Sequence, residues 1–254
     1  MSVSLQLYSM RNGESFETLL PKLPAAGISK VEAYGDLFAD PATFLSALEG
    51  TGVSVSGCHM GIDYIEEDPA AAVAVAKQVG AQQVFAPYLE ADQRPTTADG
   101  YAELARRLDR LGQPFRDAGL TFGWHNHDFE LVALPDGSIP LDVMFSAAPD
   151  LAWEADLAWV IKGGADAMTY IERYGSRIAA VHVKDIAPEG ENADEDGWAD
   201  LGAGTVDWTA LISACRALPG DVEFILEHDN PKNPFQYAAN SAQAFHKIWE
   251  ATNG

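Results

Sequence analysis

Basic side chains are scarce in this chain of 254 residues. Lys and Arg number 16 against 38 Asp and Glu, giving a formal charge of −22 at pH 7, a field that repels nucleic-acid phosphates and anionic lipid surfaces. No nucleic-acid or membrane partner is expected. Cysteine is nearly absent as well. Cys58 and Cys215 lie far apart and form neither a disulfide framework nor a zinc knuckle, which fits a reducing compartment. No apolar run reaches the roughly 18 residues that a membrane span needs. Strand-like sequence begins by Val3, leaving no room for a basic region followed by an apolar leader, so a cytoplasmic protein is expected. The G-x-G-x-x-G spacing of dinucleotide-binding folds is missing after the first strand-like segment, where residues 7–13 read LYSMRNG.

What is present is alternation. The chain is 47% hydrophobic and 21% charged, enough to bury a sizeable core. Segments rich in Val, Ile, Leu and aromatics recur at 3–8, 30–34, 53–59, 82–87, 120–127, 151–156, 178–184 and 222–228. Helix-compatible stretches lie between and after them at 15–26, 41–50, 69–80, 98–118, 141–147, 165–174, 208–217 and 241–251. Asp40-Pro41 and Asp68-Pro69 each set an N-cap acid before a first-turn proline, and Gly27, Gly80 and Gly119 sit at C-cap positions. Parallel strands need crossovers, and eight such units make a closed (β/α)8 TIM barrel, read here as a single domain over 1–254. An open doubly wound sheet is the alternative. The acidic stretch 188–200 reads as a mobile loop at the active site.

In a closed barrel alternate strand residues point inward, and those near the carboxyl ends line the face where barrel enzymes do chemistry. By that rule Gln6 and Tyr8, His125 and His127, Glu154 and Asp156, His182 and Lys184, and Glu223, Glu227 and Asp229 look inward. Taken alone, a strand histidine such as His59 or His228 reads first as a structural group. Convergence changes the reading, because imidazoles and carboxylates on four successive strands would be costly to bury without a compensating charge. A divalent metal offsets that cost. A carboxylate and imidazole donor set without cysteine suits Mn2+, Mg2+, Co2+ or Zn2+. Lys184 is placed to stabilise negative charge developing on a substrate oxygen, or else to pair with Asp185 or Glu227. Trp153, Trp159 and Trp198 are each candidates for an apolar wall against a sugar ring or for plain core packing.

Several motifs together carry a family resemblance. They are QLYSMR at 6–11, VEAYG at 31–35, His59-Met60, WHNHDFE at 124–130, DLAW at 156–159, HVKD at 182–185, LGAGTVDW at 201–208 and EHD at 227–229. In order and spacing the chain resembles the xylose-isomerase-like TIM barrels, the sugar phosphate isomerase/epimerase group that includes tagatose 3-epimerases, inosose dehydratases and endonuclease IV. The resemblance implies Asp156, His182 and Glu227 as metal ligands. Where the epimerases carry a fifth-strand glutamate that is both ligand and catalyst, this chain reads Gly123-Trp124-His125, and His125 is the replacement candidate. Glu130 looks like their later glutamate, which contacts substrate oxygens, and Trp159 stands where they have a histidine. Gln6, Tyr8, Glu32, His59, His127 and Trp159 are expected around the substrate.

The expected activity is metal-dependent isomerisation or epimerisation of a small sugar or polyol, by proton abstraction α to a carbonyl through an enediolate. Glu227 acts as base if one oxygen is free, with Glu130 or His125 opposite and Lys184 assisting. Dehydration or lysis of an inosose or keto-sugar on the same site, or sugar binding without catalysis, are the alternatives. A nuclease is disfavoured by the charge and the reduced ligand set. An unphosphorylated substrate is expected, since only Arg11 and Lys184 supply cations at the mouth while Glu189, Glu191, Asp194, Glu195, Asp196 and Asp200 crowd the 188–200 loop. Glycines 163, 164, 202 and 204 are the candidates for an anion nest. A homo-oligomer is compatible with this reading.

Overall fold

The computed structural model describes residues 2–252; Met1, Asn253 and Gly254, at the ends of the expected 1–254 domain, lie outside the described residues. Eight parallel strands close into a barrel. They are β1 (Val3–Gln6), β2 (Ile28–Ala33), β3 (Ser54–His59), β4 (Gln83–Ala86), β5 (Thr121–His125), β6 (Ala152–Asp156) and β7 (Ile178–Val183), and then, after the short β8 (Asp185–Ile186) and β9 (Trp198–Ala199), β10 (Glu223–Leu226). β10 lies between β7 and β1 and closes the ring. Outward residues such as Val181, Val183, Phe224 and Leu226 are buried under the helices, as expected where a parallel sheet is covered on its outer face. Inside the ring, Phe85, Ala180 and Ile225 form a small apolar cluster of their own.

The surrounding helices are α1 (Phe16–Leu19), α2 (Pro41–Leu48), α3 (Ile62–Glu67), α4 (Pro69–Val79), α5 (Ala98–Asp117), α6 (Pro140–Ala147), α7 (Leu157–Lys162), α8 (Ala167–Tyr174), α9 (Trp208–Arg216) and α10 (Pro234–Ala251). Asp40 and Asp68 cap α2 and α4 through their side chains. The helix expected over 15–26 is only one α-turn long. Pro21 and Pro24 cannot donate to the ladder, and the chain continues as a 3-10 segment over Leu20–Ala26. In the other direction, α10 begins at Pro234, seven residues before the expected start, with Asn233 accepting from Gln236 N.

The stretch 188–200 is a hairpin between β8 and β9 rather than an irregular loop. Asn192 Nδ2 donates to Trp198 O at 2.8 Å and Lys232 pairs with Asp194 at 2.7 Å. The Asp185 carboxylate collects backbone N–H groups from Ile186, Gly202, Gly204 and Val206. A Cβ at Gly204 would stand 2.2 Å from Asp185 Oδ1, so only glycine lets the backbone come that close. Among the described residues no helix is long and apolar enough to cross a membrane.

Candidate active site

At the carboxyl end of the strands the chain leaves a cleft of about 680 Å³. Its walls are aromatic, with Tyr8, Tyr34, Tyr88, Phe129 and Trp159, and its charged lining is Glu90, Arg94, Asp128, Glu227 and Asp229. His59, His125 and His127 form part of the inner surface. Arg94 stacks on Phe129, 3.6 Å from the ring centroid, and donates to Tyr88 Oη and Leu89 O. Arg11 lies over Tyr8 at 3.7 Å and donates to the carbonyls of Tyr8 and Asp229.

Below this surface lies a buried polar layer built from the inward parity of six strands. His59 Nε2 is hydrogen-bonded to Glu154 Oε2 and lies 3.2 Å from Glu32 Oε2. His125 Nδ1 is 3.1 Å from Glu154 Oε2. His182 has carboxylates on both sides, with Nε2 at 2.9 Å from Glu32 Oε2 and 3.4 Å from Glu154 Oε1, and Nδ1 at 2.8 Å from Glu227 Oε2. Lys184 is 1% exposed, and its Nζ lies 2.8 Å from Glu227 Oε2, 2.8 Å from Asp229 Oδ1 and 3.2 Å from Asp156 Oδ2.

Burial and crowding set the protonation of this layer. Burial, aided by the neighbouring Glu154 charge, pushes Glu32 up to about 7. Burial also works to raise Glu154, but His182 and His59 outweigh it and hold this carboxyl well below its usual range. His59 and His182 are raised because their carboxylate neighbours overcome burial, whereas burial and the adjacent His182 drive His125 down to about 3. Burial lifts Asp156 to about 6. Burial opposes the charge on Lys184, yet Asp156, Asp229 and Glu227 prevail and keep it a cation well above its ordinary range. The same ammonium, with His182, overcomes burial at Glu227 and keeps that carboxylate ionised.

A divalent cation fits this layer. Glu32 Oε1 and Glu154 Oε1 are buried with no hydrogen bond, which is costly unless a cation satisfies them; Asp156 Oδ2, also without a hydrogen bond, already faces the Lys184 ammonium at 3.2 Å. Two overlapping sets of four residues bring one candidate ligand atom each to within 4.8 Å of one another. One is His59, His125, Glu154 and His182, and the other is His125, Asp156, His182 and Glu227. Both are buried imidazole and carboxylate sets, with His59, His125 and Glu227 reaching the cleft.

The expected site residues divide by depth. Tyr8, His59, His125, His127, Trp159 and Glu227 line the cleft. Gln6 and Glu32, expected against substrate, lie beneath it instead. Both are 0% exposed, with Gln6 donating from Nε2 to Glu32 Oε2 at 2.8 Å and accepting from Tyr8 N. Glu130 is likewise 0% exposed. Its oxygens accept from Trp124 Nε1 and His127 N at 2.8 and 2.9 Å, so it holds the β5 end in place rather than meeting a ligand. Trp153 is core, donating to Asn126 Oδ1, and Trp198 is buried beneath Trp159. His228 is structural, accepting from Asn230 N through Nδ1.

Sequence reasoning missed Tyr88, Glu90 and Arg94. They follow the end of β4, where strand parity no longer applies and no motif was visible. The 188–200 acids, expected over the mouth, do not line the cleft, and Arg94, not counted among the mouth cations, does.

Comparison with known proteins agrees with this architecture. The Xylose isomerase-like TIM barrel family matches residues 22–248. The chain belongs to that family. It is 26% identical to an inosose dehydratase of Lacticaseibacillus casei over 69% of this chain, and spans only 64% of that relative's length. A sugar phosphate isomerase/epimerase from Parabacteroides distasonis superposes with a TM-score of 0.80 at 18% identity, covering 95% of this chain and 92% of the other. The IOLI protein crystallised with a bound zinc atom gives 0.76 at 14% identity, covering 99% of each chain. At these identities the two solved structures establish the fold alone.

Proposed function

We propose that this family member is a divalent-metal-dependent enzyme that removes a proton α to a carbonyl in a small, unphosphorylated keto-sugar or polyol derivative, leading to isomerisation, epimerisation or dehydration. The observation that carries the reading is Glu227. It lines the cleft and is kept ionised by Lys184 and His182. Both of those contacts fall on Oε2, so Oε1 accepts from neither and is the oxygen assigned to take the proton. When bound, the metal polarises the carbonyl as a Lewis acid. Lys184 stays protonated and holds Glu227 and Asp229 in register. The aromatic walls suit the C–H faces of a sugar ring. Trp159 and His127 belong to this lining, while their Nε1 and Nδ1 atoms are buried without a partner.

The reading of an unphosphorylated substrate rests on the lining and not on the hairpin. Glu90, Asp128, Glu227 and Asp229 face one arginine, Arg94, whose N–H groups already bond Tyr88 and Leu89. A dianionic phosphate would meet net negative charge there. Within these outcomes, the relative whose name is inosose dehydratase supports dehydration. His127, kept neutral by burial, lines the cleft as a hydrogen-bonding group and not as the proton donor to a departing hydroxyl. Incubation of the Mn2+-, Mg2+-, Co2+- and Zn2+-loaded protein with a panel of inososes, ketoses and their phosphate esters tests the reading. Turnover of a neutral substrate with a higher kcat/KM than its ester is expected, and a preference for the ester contradicts it.

A further inference from the structure

Trp198 does not line the cleft, yet it is 1% exposed and its ring lies against the Lys184 ammonium. Resting on the proton-transfer reading above, we infer that Trp198 is a positioning residue of the active site: its indole, delivered by the β8–β9 hairpin, fixes Lys184 against Glu227, Asp229 and Asp156. The placement of the charge is the first support. Lys184 Nζ lies 2.8 Å from Glu227 and Asp229 and 3.2 Å from Asp156. The same nitrogen is 4.7 Å from the Trp198 ring centroid and 5.2 Å from that of Trp159, and the two indoles pack edge to face with centroids 4.7 Å apart. Both rings are within cation–π range. A lysine stem has many rotamers to lose, and rings that attract its head while excluding water hold it in one.

The path of the chain is the second. β8 begins directly after Lys184, and in the antiparallel register Asp185 pairs with Ala199 and Ile186 with Trp198. The hairpin therefore leaves Lys184 and brings the indole back to it. Asn192 and Asp196 take left-handed φ values of 50° and 58°, a conformation that short polar side chains tolerate, and Asn192 Nδ2 holds Trp198 O at 2.8 Å. The Lys184 backbone is fixed independently, with its carbonyl accepting from Trp208 Nε1 at 3.1 Å and the neighbouring Asp185 carboxylate bound by the backbone of 202–206.

The third support is a second ammonium on the same ring. Lys162, at the end of α7, sets Nζ 3.7 Å from the Trp198 centroid and donates to Asp196 O at 3.3 Å, so one side chain pins both the indole and the turn that carries it. The hairpin whose acids do not reach the cleft thus acts from beneath it. Trp198 holds Lys184, and Lys184 holds the Glu227 carboxylate assigned to take the proton, where a small misplacement is costly to the rate.

Steady-state kinetics of the metal-loaded full chain tests this. Trp198→Leu is expected to lower kcat about 10- to 30-fold, the size of a desolvated cation–π contact, with KM within about twofold because Trp198 meets no substrate. Trp198→Phe is expected to restore most of the rate. Equal losses in the two variants, or a raised KM with kcat unchanged, overturn the inference. A ring-fluorinated tryptophan placed at position 198 keeps the indole shape and weakens its negative face, so it lowers kcat even where Trp198→Leu fails to fold; a parent-like kcat overturns the inference. NMR of protein carrying isotope-labelled lysine reads the same contact without turnover. The Lys184 side-chain resonance, assigned by its loss in Lys184→Arg, is expected to be displaced by the indole ring currents and to move toward the ordinary lysine position in Trp198→Leu. An unmoved resonance overturns the inference. If the parent turns over none of the substrate panel, the proposed function fails and this resonance alone decides the role of Trp198.

Discussion

Glu227 and Lys184 have separable consequences because one meets the cleft and the other lies under its floor. Glu227→Gln keeps the shape and the Lys184 and His182 contacts but removes the proton acceptor, so kcat is expected to fall by about 10²- to 10⁴-fold with the folded spectrum unchanged. Steady-state kinetics on the identified substrate measures it. Lys184→Met leaves Asp156, Glu227 and Asp229 without their shared cation in a buried setting. A stability loss of about 3–5 kcal/mol is expected from breaking such a pair on one side, read by denaturant unfolding; an unchanged midpoint would show that the carboxylates find compensation elsewhere. Strand parity in the sequence identifies which residues look into the barrel, and for Tyr8, His125, His182 and Glu227 the structure agrees. It carries no information about depth. Gln6 and Glu32 share the inward face yet lie below the cleft, and Glu154 is central to the buried layer although only its parity was visible. Glu130 shows a different limit, since a motif position gives residue type but not which donors its oxygens will meet.

Capping chemistry decides where the elements begin. Asn233 before Pro234 is the same device as Asp40-Pro41 and Asp68-Pro69, and the start of α10 was misplaced because the apolar periodicity becomes clear only later in the helix. Asn233→Ala is expected to cost about 1 kcal/mol, a fall in Tm of roughly 2–4 °C for a chain of this size, measurable by calorimetry. The 15–26 segment was apolar enough for a helix, but two prolines turned its second half into a 3-10 run. Between elements, Glu66 on α3 makes a two-pronged contact with Arg107 on α5, with Nε–Oε1 at 2.6 Å. The Arg107 hydrogen bonds lower the Glu66 carboxyl below its ordinary value. The pair therefore contributes to stability above the ordinary glutamate range and loses that contribution as pH falls through the lowered value. Glu66→Gln should accordingly have a lower Tm than the parent at neutral pH, with the gap closing in acid. A gap that widens in acid would reverse the sign of this linkage.

Over the whole molecule, alternation and glycine punctuation made the barrel legible, because a closed parallel ring is the compact way to pair eight strands joined by crossovers. Loop residues were illegible for the same reason that they matter. Tyr88, Glu90 and Arg94 lie beyond a strand end, where backbone path rather than periodicity decides what reaches the cleft. The net charge of −22 implies self-repulsion in the folded state, so moderate salt should raise Tm by screening it, as scanning calorimetry across ionic strength would register. The account as a whole rests on proton removal by Glu227 next to a metal-bearing layer. Its most direct measurement is the NMR-detected exchange of the α-proton of a keto-sugar or inosose substrate in D2O by the metal-loaded protein. Exchange that depends on metal and vanishes in Glu227→Gln is the predicted result; exchange that persists in Glu227→Gln, or that is equally fast after chelation, would contradict it.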